Sequence, residues 1–242
     1  MGTKFSTRIW VGVVGIASIF WGSKGYADTV VSVADFGLKP DTRENAVAYV
    51  QKAIEACRGK EPVTLVFPEG RYDFWPQYAH EKNYYETNTY DVFPKRLAML
   101  FEGFHNITVD GNGSQFVMHD RIQPITVENC DGVTLKNFSI DWDIPLTAQA
   151  RVIKVGSDFF EIEINVLESP YIIEDGKLVF VGEGWKSALG SMIEFESDTH
   201  FVVPGTGDLV LGRNWRDYTA VSPRYGIVRL SRKGGFERYP AE

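Results

Sequence analysis

Phe101-Glu102-Gly103-Phe104-His105-Asn106-Ile107-Thr108-Val109-Asp110-Gly111 is followed by Val127-Glu128-Asn129-Cys130-Asp131-Gly132-Val133-Thr134-Leu135-Lys136-Asn137, and the two runs are copies of one pattern offset by 26 residues. Glu102 matches Glu128, Ile107 matches Val133, Thr108 matches Thr134 and Val109 matches Leu135. Each copy alternates apolar and polar residues like a short strand and is bounded by the turn formers Gly, Asn and Asp. A repeat period within roughly 20–50 residues signals stacked supersecondary units. With one strand-turn-strand unit per period and no helix between strands, residues 99–143 read as coils of a right-handed parallel β-helix. Antiparallel pairing of the same strands would overturn that reading.

Working back toward the start, Asp41 and Glu44 are spaced as a capping box, Asp at the N-cap and Glu three residues into the helix. The helix they open runs to about Cys57. Ala46, Val47, Val50, Ala53, Ile54 and Cys57 share one face, so it needs an apolar surface to cover, such as the open end of a coil. Val30–Val33 before it alternates like a first strand. Val63-Thr64-Leu65-Val66-Phe67-Pro68-Glu69-Gly70-Arg71-Tyr72 after it reads as strand, tight turn, strand. Asp73–Lys95 lacks periodicity and reads as a long surface loop, a kind that is often functional. Its Trp75, Tyr78, Tyr84, Tyr85 and Tyr90 either offer flat faces to sugar rings or pin the loop to the coil beneath.

Past Pro145 the pattern changes. Ala148–Val155, a short turn at Gly156-Ser157-Asp158, and Phe159–Val166 form a hairpin by pattern. Lys177–Val181, Ser191–Glu196, Phe201–Val203 and Ile227–Leu230 add strands between Gly-rich breaks, as in a small antiparallel barrel or sandwich inserted into the β-helix. The expected organisation is therefore a signal peptide at 1–27, capping helix and first coils at 28–145, an antiparallel β subdomain at 146–230 and a return toward the β-helix at 231–242.

Lys4 and Arg8, the apolar run Ile9–Trp21 and the small residues of Gly25-Tyr26-Ala27 read as a secretory signal at 1–27, the run being shorter than the roughly 20 apolar residues of a membrane span; an uncleaved anchor is the rival reading. Export to the periplasm, outer surface or medium follows, with no membrane association after cleavage. Removing that segment leaves 22 basic and 32 acidic residues, a net of −10. The acidic balance argues against nucleic acid and anionic membranes as partners, since both demand a basic face. Cys57 falls on the helix stripe and Cys130 on the position of Phe104 in the other copy, so both are expected as buried free thiols. No Cys/His spacing fits zinc, and no metal or other cofactor is expected.

Two carboxylates are the equipment of glycoside hydrolysis. In Ile140-Asp141-Trp142-Asp143-Ile144-Pro145, Asp141 and Asp143 share a strand face, roughly 6.6 Å apart at Cα. Asp residues beside a Pro at a strand end also satisfy turn amides, so that alternative stands. Trp185 in Gly182-Glu183-Gly184-Trp185-Lys186 and Trp215 in Arg213-Asn214-Trp215-Arg216-Asp217-Tyr218 pair an aromatic face with charged groups. They suit a hydroxyl-rich ligand or cover the edge of a core. His80, His105, His119 and His200 are scattered. There is no Ser-His-Asp order, phosphate loop or dinucleotide fingerprint.

The opening from Ala34-Asp35-Phe36-Gly37 to Phe67-Pro68-Glu69-Gly70-Arg71-Tyr72 resembles that of polygalacturonases and pectate-lyase-like proteins. Five segments resemble one family more closely. They are Phe36–Asn45, Val109-Asp110-Gly111-Asn112-Gly113-Ser114, Leu135–Thr147 around Asp141-Trp142-Asp143, Gly182–Ser187 and Asn214-Trp215-Arg216-Asp217-Tyr218, and they are similar to glycoside hydrolase family 110. The resemblance implies an exported exo-acting α-1,3-galactosidase that releases terminal α-linked galactose with inversion and without a cofactor. Its partners would be terminal α-galactosyl glycans. It also implies that the catalytic carboxylates lie on later coils, so no catalytic residue is carried over and the chain is expected to be an N-terminal portion, inactive alone. A non-catalytic glycan-binding module is the alternative from another class. A lyase or polygalacturonase on the shared fold is disfavoured by the acidic balance.

Overall fold

The structure is a computed structural model that describes residues 29–84, 94–203, 209–210 and 217–236. Residues 1–27, expected from the sequence to be a signal peptide, and Tyr85 and Tyr90 lie outside the described residues. The first part contains β1 (Thr29–Ser32), α1 (Val47–Cys57), β2 (Val63–Val66), β3 (Arg71–Phe74), β4 (His80–Lys82), β5 (Lys95–Glu102), β6 (His105–Met118), β7 (Gln123–Glu128) and β8 (Asp131–Trp142). No helix among the described residues is long and apolar enough to cross a membrane.

The two copies of the repeat lie parallel and in the register the sequence specifies. Ile107 pairs with Val133, Thr108 with Thr134 and Val109 with Leu135 across β6 and β8, and Glu102 pairs with Glu128 across β5 and β7. On its other side β6 is parallel to β2 along its first half and to β3 along its second, and β2 is parallel to β1. One long strand thus carries two short ones, with the Phe67–Gly70 turn between them. Aromatic rings fill the space behind the ladder: Phe67 and Phe116 at 4.7 Å, Phe74 and Phe116 at 5.7 Å, and Phe138 stacked on Phe116 at 4.8 Å.

The turns repeat as well as the strands. Gly103 and Asn129, at matching positions, have φ of 69° and 51°; Asn106 and Gly132, also matching, have φ of 53° and 70°. Only Gly and Asn enter this left-handed region at low cost, so the copies exchange one for the other at both turns. Gly132 has a further reason, because a Cβ there would sit 2.5 Å from Asn106 Oδ1.

Helix α1 buries Val47, Val50, Ala53, Ile54 and Cys57 against β1, β2 and β5. It begins later than the capping box predicts. Asp41 instead has φ 62° and accepts the Arg71 N–H at 2.9 Å, which ties the approach to the helix onto the start of β3. The capping work falls to Asn45, whose Oδ1 accepts the N–H groups of Val47 and Trp75 at 3.1 and 3.2 Å. The predicted surface loop 73–95 also starts too early: Asp73 is a buried residue of β3, and β4 pairs antiparallel with β5. Both cysteines are free; Cys57 is buried, and Cys130 is half-buried rather than fully so.

The second part is antiparallel, so the chain is mainly β with mixed rather than uniformly parallel sheets. Its strands are β9 (Ala150–Val155), β10 (Phe159–Ile164), β11 (Tyr171–Glu174), β12 (Lys177–Gly182), β13 (Trp185–Ala188), β14 (Ser191–Met192), β15 (Leu209–Val210), β16 (Thr219–Arg224) and β17 (Ile227–Ser231). The β9–β10 hairpin forms where the sequence places it and continues as the sheet β16-β17-β10-β9, beside a β11-β12-β13 meander. Phe160, Ile162, Leu178, Tyr218, Val228 and Leu230 make its separate core. The expected strand 191–196 shrinks to β14 plus a single Phe195–Val202 bridge, since Ile193 and Phe195 are exposed and gain little from a longer ladder.

Candidate functional site

Three parallel strands end together. Asp73, Val117 and Asp141 stand at one level of β3, β6 and β8. One step further, the His119 N–H donates to Phe74 O at 2.9 Å and the Asp143 N–H to Met118 O at 3.0 Å. Side chains alternate along a strand, so Arg71, Asp73, Trp75, His119 and Asp143 gather on the face opposite the aromatic core.

They form a bonded cluster. The Asp73 side chain has no exposed surface and accepts from Arg71 Nη2 at 2.6 Å. The same Arg71 nitrogen reaches Asp143 at 2.8 Å, and Arg43 stands 3.8 and 3.7 Å from Asp73 and Asp143. The His119 ring, buried and stacked on Trp75 at 3.8 Å, points Nε2 at Asp73 Oδ1 at 2.8 Å and Nδ1 at Glu183 Oε2 at 2.6 Å. An ionised carboxylate only accepts, so whichever ring nitrogen carries a proton donates to the carboxylate it faces. Burial alone would push the Asp73 carboxyl upward, but the bonds from Arg71 and His119 outweigh it and hold the group below the usual carboxylate range. Asp73 chiefly, and Asp143 with it, raise the Arg71 guanidinium further.

Glu183 arrives from the second part of the chain. It occupies the two-residue turn between β12 and β13, where Gly182 pairs with Trp185. Gly184, at φ 73°, lets the turn close against the first part: a Cβ there would lie 2.4 Å from Asp120 Oδ2. Trp185 folds back over Gly182 and lies 5.8 Å from the Arg121 guanidinium. Trp142 Nε1 donates to Asp120 O at 3.2 Å.

Of the residues singled out in the sequence, Asp143 is in the cluster and Trp185 beside it. Asp141 is exposed and accepts the N–H of Trp142 at 2.8 Å, the turn-amide role left open above. Trp215 lies outside the described residues. Arg71, Asp73, His119 and Glu183 were missed. Their one sequence trace is the alternation Arg71, Asp73, Trp75; His119 and Glu183 are 46 and 64 residues from the partners they meet.

His119, Asp143 and Glu183 present ligand atoms within 4.8 Å of one another, and their types suit a divalent cation. Asp143 Oδ1 is already held by Arg71, however, and the His119 nitrogens already face Asp73 and Glu183, so an ion would have to displace these contacts. Nor does it match an inverting acid-base pair. That arrangement separates its carboxyl groups by about 6.5–9.5 Å to admit a water, whereas an oxygen of Asp143 and one of Glu183 lie within 4.8 Å and Asp143 is clamped by Arg71. Chemically this cluster locks three strand ends and one hairpin together.

A second charged group sits on the stacked repeats. Glu102 and Glu128 face each other in register, a repulsive placement for like charges. Lys82 Nζ bridges them at 2.9 and 2.8 Å, and Tyr84 donates its hydroxyl to Glu128. Lys82 first, then Tyr84, hold the Glu128 carboxyl below its ordinary value.

Residues 148–242 match the family model described as GLAA-B beta-barrel domain I. The chain is 57% identical over 205 residues to alpha-1,3-galactosidase B of Bacteroides thetaiotaomicron, covering 85% of this chain and 33% of the relative. It is 37% identical over 169 residues to alpha-1,3-galactosidase A of Shewanella woodyi, covering 69% of this chain and 28% of the relative. A third relative, alpha-1,3-galactosidase B of Akkermansia muciniphila, is 29% identical over 186 residues, 77% of this chain and 23% of its own length. The chain thus spans about a third or less of these curated relatives. The matches bear out the resemblance to family 110 carried by the segments quoted above.

Proposed function

We propose that this chain is the scaffold portion of an exported family 110 glycoside hydrolase, an exo-acting α-1,3-galactosidase that releases terminal α-linked galactose with inversion. The parallel ladders act as coils of a right-handed β-helix, and the antiparallel unit is a barrel inserted into it. Residues 1–27 direct export. The catalytic acid and base are supplied by parts of the longer enzymes that have no counterpart in these 242 residues. The 57% identity over 205 residues carries this reading. The chemistry of the cluster supports it, since its one buried carboxylate, Asp73, is committed to Arg71 and His119.

The test is hydrolysis of an α-1,3-linked galactoside by two preparations. One is the 242-residue chain; the other joins it to the remaining two thirds of the Bacteroides relative. Activity of the joined enzyme with galactose first appearing as the inverted β-anomer, and none from the chain alone, is the expected outcome. Saturable galactoside binding by both preparations with turnover by neither would favour a glycan-binding module instead.

A further inference from the structure

We propose a second saccharide-binding site on the antiparallel unit, at the end of the β10 and β16–β17 strands and separate from the His119 cluster. Two adjoining open depressions of about 500 and 530 Å³ lie there and share Glu163, Ile164 and Asn165 as a common wall. Each falls within the range of about 300–1,000 Å³ typical of small-molecule sites. One rim is apolar: Tyr225 is 82% exposed at the tip of the β16–β17 hairpin, and Leu167 is 86% exposed opposite. Neither side chain has a core to fill.

The remaining wall is polar and evenly charged. Arg151 and Arg224 face Glu163 and Glu168 around the two depressions, two cations against two anions. That balance does not suit a phosphate or a polyanion. Arg151 is spent on Glu163, at 2.5 Å. Among the described residues, the side chains of Gln149, Glu168, Arg224 and Tyr225 have no hydrogen-bond partner. They supply both donors and acceptors. A flat aromatic face beside uncommitted donors and acceptors is complementary to a neutral sugar, whose ring offers an apolar C–H face and a rim of hydroxyls.

The site is also held in shape before any ligand arrives. Ile164 N–H donates to Gly226 O at 2.8 Å, and Ser222 Oγ lies 3.0 Å from both Arg224 O and Ile227 O, which pins the hairpin. Asn165 Oδ1 accepts the Leu167 N–H at 3.2 Å and its main-chain O accepts from Ser169 at 2.8 Å, which pins the facing turn. A preformed cleft loses less ordering entropy on binding.

The experiment is an NMR titration of the amide-labelled 242-residue chain with S-linked α-1,3-galactobiose and, separately, cellobiose. Saturable shifts at Asn165, Leu167, Tyr225 and Gly226 with either sugar are the expected result. Tyr225→Ala should weaken binding about tenfold, equivalent to 1.4 kcal/mol, with an unchanged melting temperature because the ring is exposed. Trp185→Ala should leave binding intact. The site is rejected if neither sugar gives saturable shifts there, or if binding survives Tyr225→Ala and is lost in Trp185→Ala. No turnover is read, so the outcome is independent of the galactosidase test.

Discussion

Strands β6 and β8 carry the same repeat and have opposite surroundings. Ile107, Val109 and Phe116 of β6 are fully buried, whereas Leu135 and Ile140 at the matching positions of β8 are 41% and 38% exposed. The strands stay paired on both sides of a register shift between Asp110 and Ser114, but their neighbours differ. β6 has β2 and β3 on one edge and β8 on the other, while β8 pairs with β6 alone among the described residues. A repeat therefore specifies which residues point inward, and stacking decides whether inward is dry.

The sharpest way to break the comparison is to delete paired side chains from both copies. Phe116→Ala should cost about 3–5 kcal/mol, by lost transfer energy plus the cavity left among Phe67, Phe74 and Phe138. Ile140→Ala, its partner in register, should cost under about 1 kcal/mol, since less area leaves water-free surroundings. Urea midpoints measure both. Near-equal costs would mean that β8 is as buried as β6 in solution.

The acidic residues at the ends of β3 and β8 extend the contrast. Asp73→Asn should destabilise by about 3 kcal/mol, because it leaves Arg71 and His119 beside a weaker acceptor in a dry site. Asp143→Asn, at a half-exposed side chain, should cost at most about 1 kcal/mol. The pH dependence follows from the depressed Asp73 value. Its contribution is present above the unfolded-state value of about 4 and is lost as pH falls through the lower folded-state value. Thermal melts should show the parent losing stability below about pH 4 more steeply than Asp73→Asn does.

Smaller effects test the turns and thiols. Asn129→Ala should cost about 1 kcal/mol, the penalty of a Cβ residue at positive φ, whereas Asn129→Gly should be close to neutral. Burial pushes the Cys57 thiol up to about 11, so mass spectrometry after iodoacetamide treatment at neutral pH should show Cys57 modified only on unfolding. Cys130, half-buried in the second copy, should react first.

Much of this was legible in the chain and some was not. The 26-residue offset, the register, the covering face of α1 and the β9–β10 hairpin are local or periodic features, and alternation alone exposes them. The helix start was misjudged because Asp41 found a better partner in the Arg71 amide, 30 residues away. Asp141 and Asp143 look alike in sequence, yet one satisfies its neighbour's amide and the other meets Arg71 across 72 residues. Nothing nearby marks His119 as the meeting point of Asp73 and Glu183.

By itself, then, the sequence determined the period, the strand faces and the likeness to family 110, since each is written in the order of residue types along the chain and needs no knowledge of which distant side chains meet. Which charges meet, which apolar residues stay wet and which carboxylates are committed were decided by tertiary structure alone. The physical reason is that burial and charge pairing depend on distance in space, and the stacking of β3, β6 and β8 brings together side chains that the chain keeps 46 to 72 residues apart.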